Sequence, residues 1–147
     1  MKAHIGVDAE SGLVHSVRGT SGHVSDIAEG NNLLHGQETL GFGDAGYQGL
    51  DKRPDARLDV IWHIAMRPGK RKKLNKDNAA DVLLDQAEKP KAGIRAKAEH
   101  PFRVVKRQFG SVKVRYRGLK KNTAQLFALF ALSNLWMVRS KLMQVQG

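Results

Sequence analysis

The chain has 147 residues, 41% of them hydrophobic, and no cysteine. That suits one domain with a real core and excludes a disordered chain, a disulfide framework and a cysteine-ligated zinc site. The net charge of +11 is uneven: residues 52–121 hold 21 of the 25 Lys and Arg but 7 of the 14 acids, while residues 1–51 hold 2 basic and 7 acidic residues.

His4 to Asp8 and Leu13 to Val17 are short runs of β character around Ala9-Glu10-Ser11-Gly12, which predicts a hairpin. Nothing near the N-terminus is apolar enough for a signal peptide. Ser25 or Asp26 is placed to cap a helix through Ile27, Leu33 and Leu34, ended by Gly36. Thr39 to Phe42 is a third strand. Leu58 to Met66 is nearly all apolar, as expected of a strand buried on both faces. Pro68-Gly69 breaks the chain before the cationic run Lys70, Arg71, Lys72 and Lys73. Asn75 to Glu88 is a polar helix packing through Val82, Leu83 and Leu84.

Pro90 precedes a second basic helical segment, Ala92 to Phe109, in which Pro101 marks a kink or a start. Val112 to Tyr116 is a short strand or extended loop, and with it Lys113, Arg115 and Arg117 alternate on one face. A last helix, capped by Asn122 or Thr123, runs to about Leu142 with Phe127, Phe130 and Trp136 as core. Its apolar run, Leu126 to Val138, is shorter than the roughly 20 residues of a membrane span. A soluble intracellular α/β protein with a mixed sheet is expected.

Two acids stand out. Asp8 closes the first strand, and Asp44 follows the third inside GFGDAGYQGL, residues 41–50. If those strands are neighbours, both acids leave the same sheet edge. Paired carboxylates repel unless a cation or proton lies between them. Mg²⁺ is typically held by such oxygen ligands together with substrate phosphates. For a third acid, Asp55, Asp59, Asp77, Asp81, Asp85 and Glu88 compete on composition. Glu99 differs by lying in the most basic helix, between Lys97 and Arg103. The basic remainder suits a polyanion, since each neutralised phosphate releases counterions.

HIGVDAESGLVHSV, then GDAGYQG, then RAKAEHPFRVVKRQFGSVKVRYRGLKKN, together resemble the DDE transposases of bacterial insertion sequences. The branch is the one with a Tyr-x2-Arg-x3-Glu-x6-Lys signature. Arg95, Glu99 and Lys106 fit its spacing, and Ala92 stands at the tyrosine position. The resemblance runs from about Lys2 to Leu142.

It implies one RNase H-like catalytic domain over residues 1–147: a mixed five-stranded sheet flanked by helices. The N-terminal region that recognises the element's ends is expected to be absent. Asp8, Asp44 and Glu99 would be the catalytic, metal-binding triad. Two Mg²⁺ ions, with Mn²⁺ able to substitute, would support hydrolysis at element ends and joining of the 3′-OH to target DNA. Arg95 and Lys106 would contact DNA phosphate. With Arg103, Lys113, Arg115, Arg117 and Lys70, Arg71, Lys72 and Lys73 they make up the expected DNA-binding set. Partners would be transposon-end and target DNA and a second copy in a synaptic homodimer, with no membrane; the location would be the bacterial cytoplasm, at the nucleoid. Trp62, His63 and His100 read as structural, His100 placed to orient Glu99. A non-catalytic DNA-binding remnant and an RNase H-like nuclease or resolvase are the alternatives.

Overall fold

The first strands form the expected hairpin. In the computed structural model, which describes residues 1–146, β1 (Lys2–Val7) pairs antiparallel with β2 (Val14–Thr20), with a bulge at Gly6/Val7. Strand alternation puts Ile5 and Val7 on one face opposite Val17 and Val14. The opposite face carries buried His4, whose Nε2 lies 2.8 Å from Thr20 Oγ1.

Further on, α1 (Asp26–Glu29) is one turn long and is followed by a 3₁₀ turn at Asn31–Leu33, shorter than the predicted helix. β3 (Leu40–Gly43) pairs parallel with β4 (Ile61–Ile64). α2 (Pro68–Arg71) is again a single turn, whereas α3 (Ala79–Gln108) and α4 (Leu119–Val145) are long.

The chain divides into two compact units, Met1–Val24 with the chain from Lys97 on, and Ser25–Ala96. In the first, Val14, Val17, Val105 and Phe130 form the core, with Ile5, Val7, Phe102, Leu126 and Leu129 packed against them. Phe102 and Phe130 meet edge to face at 5.2 Å, a favoured aromatic geometry. Burying a ring such as Phe130 is worth about 1.5–3 kcal/mol. In the second unit Leu50, Leu33 and Val60 are buried. Trp62 lies against Gly41, where a Cβ would come within 2.6 Å of the indole.

Several sequence expectations change. The described strands form two two-stranded sheets, β1–β2 and β3–β4, rather than one mixed five-stranded sheet. Val112–Tyr116, expected as a short strand or an extended loop, is an irregular segment and supplies no fifth strand. Its backbone bonds go to a side chain instead of a neighbouring strand: Tyr116 N donates to Asn122 Oδ1 (3.1 Å), and Asn122 Nδ2 donates to Tyr116 O (2.7 Å).

Leu58–Met66 is not a strand buried on both faces: β4 covers only Ile61–Ile64 and is paired with β3 alone among the described strands, and Leu58 is 99% and Ile61 64% exposed. The two predicted middle helices are one: α3 runs through both Pro90 and Pro101. Asn78 caps its start, its Oδ1 accepting from Ala80 N at 2.9 Å.

α4 packs through one stripe. Phe130 is buried at 1% exposure, but Phe127 is 54% exposed and is not core. Residues 122, 126, 130 and 133 recur at helical spacing, and Phe127 falls off that stripe. Trp136 is half-buried, with the Arg139 guanidinium 4.0 Å over its ring. α4 also exceeds the predicted apolar run: within its 27 residues an 18-residue window reaches a mean hydropathy of 1.2, so by length and composition alone the helix could cross a membrane.

Candidate functional site

Asp8 follows β1 in the hairpin turn and is exposed. Its backbone closes the turn, with Asp8 N donating to Leu13 O (2.9 Å) and Gly12 N donating to Asp8 O (2.8 Å). Its Oδ2 accepts from Ser11 N at 2.6 Å. The Ser11 hydroxyl and amide hold the Asp8 carboxyl below its ordinary range, so it is ionised at neutral pH.

Asp44 follows β3 and caps the 3₁₀ turn Ala45–Tyr47, its Oδ1 accepting from Gly46 N at 2.8 Å. A Cβ on Gly46 would lie 2.9 Å from Asp26 Oδ2 and 3.0 Å from Asp44 Oδ1, so glycine is what lets the two acids approach. Tyr47 beside them is held neutral. Burial pushes its phenol up, and the negative charges of Asp26, Asp44 and Glu29 push it further. Asp26, expected as a candidate helix cap, thus shares the Gly46 turn with Asp44, and no spacing in the sequence signals it.

Glu99 lies on α3 and lines one surface depression with Phe102, Arg103, Lys106 and Arg107. The depression sets an acid beside three cations of one helix, and Arg95, one turn before Glu99, is exposed. His100 is exposed, and His63 stacks on Phe42 at 5.1 Å.

Most competing acids are engaged elsewhere. Asp55 pairs with Arg53 (2.8 Å), Asp59 with Arg57, and Asp85 with Arg71 (2.6 Å). Asp81 accepts from Asn75 N at 2.9 Å. Glu88 is buried, accepting from Met66 N and from Lys91 Nζ at 2.8 Å each.

The cations fall in three places. Arg103, Lys106 and Arg107 border Glu99. Lys70, Lys72 and Lys73 are exposed at and just after α2, whereas Arg71 is half-buried against Asp85. Lys113, Arg115 and Arg117 are exposed on the irregular segment before α4, so they do not line a strand face as predicted.

Asp8 and Glu99 belong to one compact unit and Asp44 to the other. Among the described residues no group of three His, Asp or Glu side chains is placed to hold a metal ion. The chemistry of the three acids does fit a hard divalent cation: all are carboxylates on exposed positions, and hard cations take oxygen ligands.

No solved structure matches the chain. Residues 1–135 match the family model described as Transposase DDE domain. With nearly its whole length covered, the chain belongs to the DDE transposases, a family that acts on DNA through transposition chemistry and is generally dependent on divalent metal.

Proposed function

We propose that this chain is the catalytic domain of an insertion-sequence transposase of RNase H-like fold, with Asp8, Asp44 and Glu99 as its acids. The observation that carries this reading is Glu99 itself, an acid sharing one open depression with Arg103, Lys106 and Arg107 on a helix of the matched region. An acid serves a metal there, and cations serve phosphate. The reaction is cleavage of DNA at element ends followed by attack of the 3′-OH on target DNA.

Asp8, Asp44 and Glu99 would hold two divalent cations, Mg²⁺ or Mn²⁺. When bound, such ions activate an attacking oxygen and neutralise charge on the leaving one. The chain's own contribution is placement. Ser11 keeps Asp8 ionised, and Gly46 N fixes one oxygen of Asp44. Arg95, Arg103 and Lys106 give the DNA phosphates a cationic border beside Glu99. Lys70, Lys72, Lys73, Lys113, Arg115 and Arg117 extend it as backbone contacts, which carry affinity without sequence information.

Calorimetry with Mn²⁺ tests the acids: the chain should bind the ion, and Asp44→Ala should abolish binding. Unchanged binding in that variant would refute the assignment. Salt-sensitive DNA binding with no metal-dependent nicking would instead identify a non-catalytic remnant. Cleavage of branched substrates without strand joining would identify a resolvase-like nuclease.

A further inference from the structure

Lys97 commits its ammonium to two backbone carbonyls, those of Ala9 (2.7 Å) and Glu10 (3.0 Å). Both carbonyls belong to the turn that Asp8 opens. Within that turn Ser11 N fixes the Asp8 carboxylate and Gly12 N fixes the Asp8 carbonyl. The carboxylate is therefore tied to its turn, and the turn is tied to Lys97. Lys97 lies on α3 two residues before Glu99.

We propose that Lys97 is a positioning residue that pins the Asp8 turn to the helix carrying Glu99, and so sets the placement of two acids of the site. The role assigned to those acids rests on the function proposed above. An ammonium has three donors and no acceptor, so one side chain can hold two adjacent carbonyls. Bonds with a charged donor are shorter and stronger than neutral ones. Two anchor points restrain the turn against rotation as well as displacement.

The stem contributes too. A Cβ on Gly12 would lie 3.9 Å from Lys97 Cβ and 3.6 Å from Met137 Cε, so the turn lies close to α3 and α4. Gly12 itself has φ +74°, a left-handed conformation that favours glycine. The effect of Lys97 is one of position: the groups that depress the Asp8 carboxyl are Ser11, the Glu10 backbone and His15.

The test uses the full chain with Lys97→Met, which keeps the stem without donors, and Lys97→Arg, which keeps donors. Amide hydrogen exchange at Asp8, Ser11 and Gly12 reads the pin directly, and Mn²⁺ calorimetry reads its consequence. In Lys97→Met those amides should exchange about tenfold faster and Mn²⁺ affinity should fall about tenfold, within the range for groups that orient metal ligands. Lys97→Arg should restore both, and Lys97→Gln, with a shorter stem and weaker donors, should fall between. Unchanged exchange in Lys97→Met would overturn the pin whatever the metal does. Faster exchange with unchanged Mn²⁺ affinity would leave the lysine purely structural and overturn its positioning role. An unsubstituted chain that binds no Mn²⁺ would overturn the functional reading and this role with it, a failure recognisable because it occurs before any substitution.

Discussion

Asp26 and Asp44 bring their carboxylates to the same glycine: a Cβ at Gly46 would meet Asp26 Oδ2 at 2.9 Å and Asp44 Oδ1 at 3.0 Å. Like charges this close disfavour each other unless a cation or a donor is near. Gly46 N supplies one donor to Asp44.

Gly46→Ala is expected to leave the fold intact and misplace the site. The atoms in the way are the ends of two side chains, which can swing aside, and Gly46 has no positive φ. Asp44 should then lose its aim. Mn²⁺ affinity should fall about tenfold while the melting temperature moves by no more than a few degrees. Calorimetry beside a thermal melt checks both, and a large loss of stability would show that the glycine is needed by the backbone.

Asn134 closes the free edge of β2. Its Oδ1 accepts from Val14 N at 2.9 Å and its Nδ2 donates to Val14 O at 2.7 Å. Asn134→Leu should leave both backbone groups without a partner at a half-buried site, costing about 2–4 kcal/mol. Leu135→Ala next to it, at a position 56% exposed, should stay within about 0.5 kcal/mol. Urea unfolding of the two variants gives the comparison.

Glu88 should make stability depend on acid pH. Burial pushes its carboxyl up, but Lys91 and the Met66 amide outweigh that, and the result lies below the ordinary 4.5. A carboxyl depressed in the folded state binds protons more readily when unfolded. Its stabilisation is therefore full above the ordinary value and fades as pH falls through the lower folded one. Glu88→Gln should lose about 1.5–3 kcal/mol near pH 7, with the gap to the unsubstituted chain narrowing below pH 4.5. Denaturant titrations at pH 7 and pH 3 would show it; a constant gap would mean that the charge is immaterial.

The cationic run after β4 should divide by residue. Lys70, Lys72 and Lys73 are exposed, whereas Arg71 is held by Asp85 at 2.6 Å. Replacing the three lysines with alanine should lower the slope of log K for DNA against log salt by about 2–3, near 0.9 per phosphate contact. Arg71→Ala alone should change that slope little. Fluorescence anisotropy across a salt series measures both, and an equal effect per residue would mean that Arg71 also faces DNA.

Local features could be read straight from the chain. The hairpin around Ala9–Gly12, the basic helix carrying Glu99 and the acid at the end of β3 are legible because turn residues, charge and period act over a few positions, while the family is legible from the resemblance of three motifs in order. Where packing decides, the same local logic left questions open or erred. Val112–Tyr116 read as either a strand or an extended loop; with no strand to pair with, it is the loop, and Asn122 takes Tyr116's backbone bonds. Leu58–Met66 has the pattern of a central strand but gained only one neighbour. Pro90 and Pro101 suggested breaks, yet buried neighbours hold α3 together: Pro101 is fully buried and Glu88 anchors the helix at Met66. Asp26 beside Asp44, and Lys97 reaching back to Ala9 and Glu10, could come only from the tertiary structure. Contacts between residues far apart in the chain leave no period or spacing in the sequence, because chain closure alone brings them together.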